Sequence, residues 1–272
     1  MPGTGLLPGD PAKKIVRAPA SDHHVVRAAL SVLKGEADLV PVAPRRLNQF
    51  ETPLCWAFSA VTVLYIRRQT KGTPESLMSP LFFAQVVCAM QRGLTYPSGQ
   101  MPPLIATGAD LDTADSIFGK WGASPFIGNG VTDVPQNTDK LGRPILPELD
   151  ENTVQAAQSR LFTGPYDITP DGNIGDTAAA CLEAGIPIWI GGPVDGPALS
   201  ALQIGETEKA APNGDGHARA LAGHKTVPVN GTKYRLFHII NSWGSDWCED
   251  GCSWAEEEVL QFLWQALPFE VT

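Results

Sequence analysis

The chain has 272 residues, 43% of them hydrophobic and 18% charged, which is ordinary for a globular protein and enough for one large domain or two compact lobes. Its 29 acidic and 20 basic residues give a formal net charge of -9, the wrong sign for a nucleic-acid binder, which carries a basic face. No apolar run reaches the ~18 residues of a membrane span, and Met1-Pro2-Gly3-Thr4-Gly5-Leu6-Leu7-Pro8 lacks the charged start and apolar stretch of a secretory leader. These features predict a chain that is cytoplasmic at synthesis and has neither nucleic acid nor membrane as partner; export by a dedicated secretion system stays open.

Residues 1–20, rich in Pro, Gly and Ala, read as a flexible arm. Val25, Val26, Ala29, Leu30 and Leu33 recur at helical spacing, with Ser21 or Asp22 as cap and Gly35 as stop, so a short helix is expected near 21–34. Everything to residue 47 is treated as an N-terminal arm, packed or regulatory. The clearest helix covers 53–69. Pro53 suits a first turn, the run Trp56 to Ile66 is apolar nearly all round, and Arg67, Arg68 and Lys71 favour the C-terminal end. Further helices are expected from Ser79-Pro80 to about Met90, from Leu111 to Trp121, from Asp150 to about Leu161 and from Ile174 to Gly185. Strands are expected at 186–190, His217–Lys225 and Tyr234–Asn241, the last two separated by the turn dipeptide Asn230-Gly231. The predicted class is α+β: a helical lobe over 48–165 and a β-rich lobe over 166–272.

The cysteines are 55, 88, 181, 248 and 252, too sparse for a disulfide framework. Cys248 and Cys252 read as reduced thiols, with a local bridge as the alternative. A zinc site would need two more ligands at metal spacing, and the sequence has no second pair. No cofactor is implied.

One constellation carries chemistry. Gln49 stands six residues before Cys55, and His217 and Asn241 follow far downstream in that order. A thiol attacks as thiolate, so its pKa must fall from about 8.5, which a helix N-terminus and a nearby imidazolium bring about. Cys55 is expected one turn inside its helix. Alone it would read as a small core residue; the company it keeps makes it the nucleophile. His217 is the expected base. His224 and His238 lie at odd strand offsets that turn them away from the site, and His23 and His24 lie in the arm, where they are expected to be solvated. Asn241 would orient the imidazole, with Trp243 shielding that hydrogen bond, and Gln49 would join the Cys55 N–H in holding an oxyanion. Each has an ordinary alternative: a structural histidine, a turn asparagine, a surface glutamine, a packed tryptophan.

These residues resemble the papain-like cysteine peptidases, the clan of papain and the cathepsins. Gln49, Cys55-Trp56-Ala57-Phe58-Ser59, His217-Ala218 and Asn241-Ser242-Trp243-Gly244 match the four motifs in order, and Trp247 and Gly251 look like the continuation. The resemblance spans roughly 40–260. It implies a two-lobe fold, with a helical lobe, an antiparallel β-barrel-like lobe and the active site in the cleft between. It also implies a peptide or protein substrate whose main chain bonds near Gly108 and Ala109, with Trp243 close by. The implied activity is hydrolysis of peptide bonds through a thioester, by an endopeptidase ahead of an exopeptidase. An acyltransferase or deamidase, or a silent peptide-binding module, is the alternative. The chain departs from the pattern at Thr52-Pro53-Leu54, where the family has Cys-Gly-Ser or Cys-Gly-Ala. The partner of that absent cysteine would fall near Ala106, Cys88 finds no partner after Gly122, and the long inhibitory propeptide is missing. Absent bridges suit a reducing compartment.

Overall fold

The computed structural model describes residues 5–8, 15–74, 77–93, 104–121, 137–146, 148–149, 157, 162–163, 166–169 and 172–271. The helix expected from Asp150 to about Leu161 and the loop after Gly122 lie almost wholly outside them.

Two buried cores organise these residues. The first surrounds α2 (Cys55–Thr70), with α3 (Pro80–Gln91) and α4 (Leu111–Trp121) packed about it. From Cys55 to Leu64 every residue of α2 is buried, Ser59 and Thr62 included. Their hydroxyls bond back to the carbonyls of Cys55 and Phe58 one turn earlier, so no polar group is stranded inside. The helix begins at Cys55 and not at Pro53, two residues later than the sequence reading; Leu54 is the N-cap. Ser79 caps α3 as expected, accepting the Phe82 N–H at 3.3 Å.

The second core lies between α5 (Ile174–Glu183) and a seven-stranded sheet. The strands are β1 (Glu36–Asp38), β2 (Ile188–Val194), β3 (Thr207–Glu208), β4 (Asp215–Val229), β5 (Thr232–Ile240), β6 (Cys252–Glu256) and β7 (Gln265–Pro268). Their order is β7-β2-β4-β5-β6-β3, with β1 added to β4. Among the described residues the path has two ends, so the barrel-like sheet is open, and β3 runs parallel to β6 while the other pairs are antiparallel. β4 and β5 form the expected hairpin. Asn230 and Gly231 turn it at φ of 50° and 81°, a geometry their residue types tolerate.

The arm is mostly packed. α1 (His24–Leu30), shorter than expected, lies against α5, and β1 extends the sheet. Both carboxylate oxygens of Glu183 hold the Lys34 N–H, at 2.8 and 2.9 Å, and one also accepts from Gly35. His23, expected in solvent, is partly buried and packs edge-on against Tyr166. All five cysteines are free thiols.

The lobes meet where α2 packs on β2 and β4. There the Trp189 indole stacks on Phe269 at 5.5 Å and donates to Ser59 Oγ at 2.8 Å. Removing so large a buried side chain leaves a cavity. Trp189→Ala is expected to cost about 3–5 kcal/mol in urea unfolding, and Trp189→Phe, which keeps the stack, clearly less.

Candidate active site

Three elements bring the site together. Cys55 is the first residue of α2, His217 sits near the start of β4, and Asn241 directly follows β5. A main-chain splice aligns them: Gln49 donates to the Ser242 carbonyl at 2.8 Å, Gly244 donates to Leu47 at 2.9 Å, and Asn48 bridges Trp243. The segment leading to the nucleophile is thus stitched to the one that carries the asparagine.

The imidazole is tightly placed. His217 Nε2 and Asn241 Oδ1 are 2.8 Å apart, so Nε2 carries the hydrogen and donates it, and Nδ1 is left bare. Asn241 Oδ1 also accepts the Ser242 N–H at 2.8 Å, which fixes the amide. Trp243 stacks on the imidazole with centroids 5.0 Å apart, and Trp247 packs edge-on against Trp243. The structure makes Trp243 a cover for the histidine; no contact places it against the occupant of the cleft. His217 is wholly buried. That burial, with a contribution from the Arg219 guanidinium, pulls its pKa from the usual 6.5 to about 3, against the hydrogen bond it donates to Asn241.

Gln49 is also buried. Its Nε2 donates to the Thr52 carbonyl at 2.8 Å, and its Oε1 accepts from Ser242 Oγ at 2.5 Å. The carboxamide is held at both ends. His224 and His238 lie elsewhere, as their offsets suggested, although a β-bulge between Leu221 and Gly223 breaks the simple alternation. His224 meets Glu183, and His238 stacks on Trp254 beside Asp38.

Sequence reasoning missed the occupant of the cleft, which is the chain's own N-terminal segment. Leu6 pairs parallel to Ala109: Ala109 N–H donates to Gly5 O at 3.1 Å, and Leu7 N–H donates to Ala109 O at 3.2 Å. Gly5 N–H donates to Cys55 Sγ at 3.4 Å. Residues 5–7 thus take the main-chain bonds of Ala109, and Gly108 lies against Gly5 without a main-chain bond to it among the described residues. Glycine is required on both sides of the contact. A Cβ on Gly5 would lie 2.0 Å from the Pro53 carbonyl oxygen, and one on Gly108 would lie 2.3 Å from Gly5 O. The Leu6 side chain is buried beside Leu111 and Gly191. Arg17 anchors the arm farther along through a buried pairing with Asp112 and Asp115 of α4.

The arm changes the electrostatics from those expected. Cys55 is wholly buried, and burial pushes its thiol pKa up; the N–H groups of Ala218, Gly5, Trp56 and Leu6 around the sulfur oppose that shift without reversing it. In this closed state Cys55 is a neutral thiol and His217 a neutral imidazole, not the expected ion pair, because water has been excluded from both. The arm presents an N–H, not a carbonyl, to the sulfur. No sequence signal marks residues 5–7, since main-chain hydrogen bonding has no residue signature.

These features define a papain-like fold. It matches xylellain, a cysteine protease from Xylella fastidiosa, with a TM-score of 0.72 and 20% identity, covering 99% of this chain and 95% of that one. It also matches procathepsin B S9 from Trypanosoma congolense (TM-score 0.61, 18% identity, 99% and 86% covered). A third match is digestive procathepsin L 3 of Tenebrio molitor larval midgut (TM-score 0.58, 16% identity, 98% and 75% covered). No protein-family model and no curated protein sequence matches the chain.

Two outcomes are expected. Gly5→Val should expel residues 5–7 and raise the rate of Cys55 alkylation at least about tenfold, equivalent to 1.4 kcal/mol of lost arm binding. The His217 pKa is lower folded than unfolded, so the unfolded chain binds more protons between pH 6.5 and about 3 and this group's share of stability is lost as pH falls through that window. The melting temperature should drop across it more steeply in wild type than in His217→Gln.

Proposed function

We propose that this protein is a cysteine peptidase that hydrolyses peptide bonds through a thioester acyl-enzyme, and that the described state is its closed form. The observation that carries the reading is the His217–Asn241 hydrogen bond beneath Trp243, on the strand whose Ala218 N–H points at the Cys55 sulfur. The fold shared with cysteine proteases supports it.

With the arm displaced, water reaches the sulfur and imidazole, and the proton passes from Cys55 to the bare Nδ1 of His217. The thiolate attacks the substrate carbonyl carbon. The resulting oxyanion lies between the Cys55 N–H, which as the first donor of α2 has no intrahelical partner, and Gln49 Nε2, which carries a second hydrogen beyond the one given to Thr52. His217 delivers its proton to the leaving amine. Water, deprotonated by the same imidazole, then cleaves the thioester and restores the thiol. Asn241 keeps the ring in one tautomer throughout, and an extended peptide or protein substrate, bonding near Gly108 and Ala109, takes the main-chain bonds of Ala109 that Gly5 and Leu7 now occupy. Within this proposal the enzyme is an endopeptidase ahead of an exopeptidase. An acyltransferase or deamidase would share the thioester and differ in the acceptor or donor. A silent peptide-binding module would share the cleft alone.

The arm supplies the restraint that a long propeptide would give. Deleting residues 1–40 would strip β1 from β4 and α1 from α5 along with the segment in the cleft, so a point change is the cleaner probe. Leu6→Asp in the full-length chain is expected to raise kcat/KM on an unfolded protein substrate by about tenfold or more, and adding Cys55→Ala should abolish turnover with the fold intact. Undiminished turnover after Cys55→Ala rejects the nucleophile. A Leu6→Asp chain that turns over no substrate, with a thiol no more reactive than glutathione, leaves a binding module.

A further inference from the structure

Arg219 is 1% exposed within the β lobe, paired through Nη1 with Oε1 of Glu208 on β3. It stands two residues after His217 on β4, so the two side chains leave the same face of the strand, about 7 Å apart at Cα. Leu221, next on that face, belongs to the apolar core with Phe237 and Ile239. The ion pair is poorly satisfied: Arg219 Nε and Nη2 and Glu208 Oε2 have no hydrogen-bond partner among the described residues. Two charges drawn from water and bonded by one contact stabilise less than apolar side chains of equal volume. A structural role does not account for them; proximity to the imidazole does.

The groups facing His217 are few. Asn241 and Trp243 are neutral, the arm's Gly5 and Leu6 are neutral, Cys55 lies across the lobe boundary, and Asp215, of the same strand parity, is exposed at the end of β4. Arg219 is the charged side chain that acts on the ring, and Glu208 is its counter-charge.

Resting on the peptidase reading, we propose that Arg219 and Glu208 are a positioning pair for the catalytic dyad: a guanidinium behind the imidazole, offset by one carboxylate, sets the pH range over which thiolate and imidazolium coexist. An arginine cannot shed its proton in a protein, so the balance is set through Glu208. Glu208→Gln leaves the cation uncompensated. That favours the Cys55 thiolate and disfavours the His217 imidazolium, so both limbs move to lower pH.

The test is the pH dependence of Cys55 alkylation by iodoacetamide in the full-length Gly5→Val chain, whose arm is displaced from the sulfur, read at the Cys55 peptide by mass spectrometry, with the further substitutions made in that chain. The Gly5→Val chain should show a thiolate limb well below that of a free cysteine and a second limb from His217. Glu208→Gln should shift both to acid by about one pH unit. The double variant Arg219→Met/Glu208→Leu, which keeps the volume apolar, should move the His217 limb the opposite way. That variant carries the test if Glu208→Gln does not fold. Unmoved limbs in a folded Glu208→Gln, or in the double variant, overturn the pair's role and leave the peptidase reading standing. A Cys55 that titrates as an ordinary thiol in the Gly5→Val chain overturns both.

Discussion

A helix without a polar face has to be enclosed on every side, and α2 is such a helix. From Cys55 to Leu64 every residue is buried, so α3, β2 and β4 close around it. The N-terminal end of that helix is where the enclosure has to open if it is to meet a substrate, and the sulfur stands there. Because β4 is one of the elements packed on α2, the strand that completes the core also delivers the Ala218 N–H to the thiol and carries His217 as the preceding residue. The site is thus a by-product of burying one apolar helix against a sheet from the other lobe.

The same enclosure explains the protonation states. A thiol and an imidazole ionise together only when water or compensating charge stabilises both ions. Residues 5–7 remove the water, and the N–H groups around the sulfur do not replace it fully. The arm therefore does more than obstruct. It helps keep Cys55 and His217 in a dry site where both are neutral, and it packs there through main-chain hydrogen bonds, Gly5 and the Leu6 side chain. Arg17 on α4 and the Glu183 contacts with residues 34 and 35 hold the remainder of the arm against both lobes.

Around the imidazole, polar groups are tied to one another: Asn241 Oδ1 accepts from His217 and from the Ser242 N–H, Gln49 Oε1 accepts from Ser242 Oγ, and Trp243 and Trp247 pack over the ring. Arg219 and Glu208 differ in being a buried pair of full charges held by one contact, which is the physical ground for giving them a task. Sequence reading did not find this pair, because Glu208 is one acidic residue among many and its strand has two residues.

Much of this molecule could be read from residue order. The apolar run of α2, the capping Ser79, the Asn230-Gly231 hairpin and the order Gln49, Cys55, His217, Asn241 are local patterns, and local patterns survive in one dimension. The helix near 24–30 and the strand at 188–194 were legible in kind but not in extent, since tertiary packing fixes where marginal elements end. Tertiary structure alone decided three things: that the sheet stays open, that residues 5–7 fill the cleft, and that Arg219 finds Glu208 beside the imidazole. Each depends on segments far apart in the chain meeting through backbone bonds or a single buried charge pair, and neither kind of contact leaves a periodic trace in the sequence.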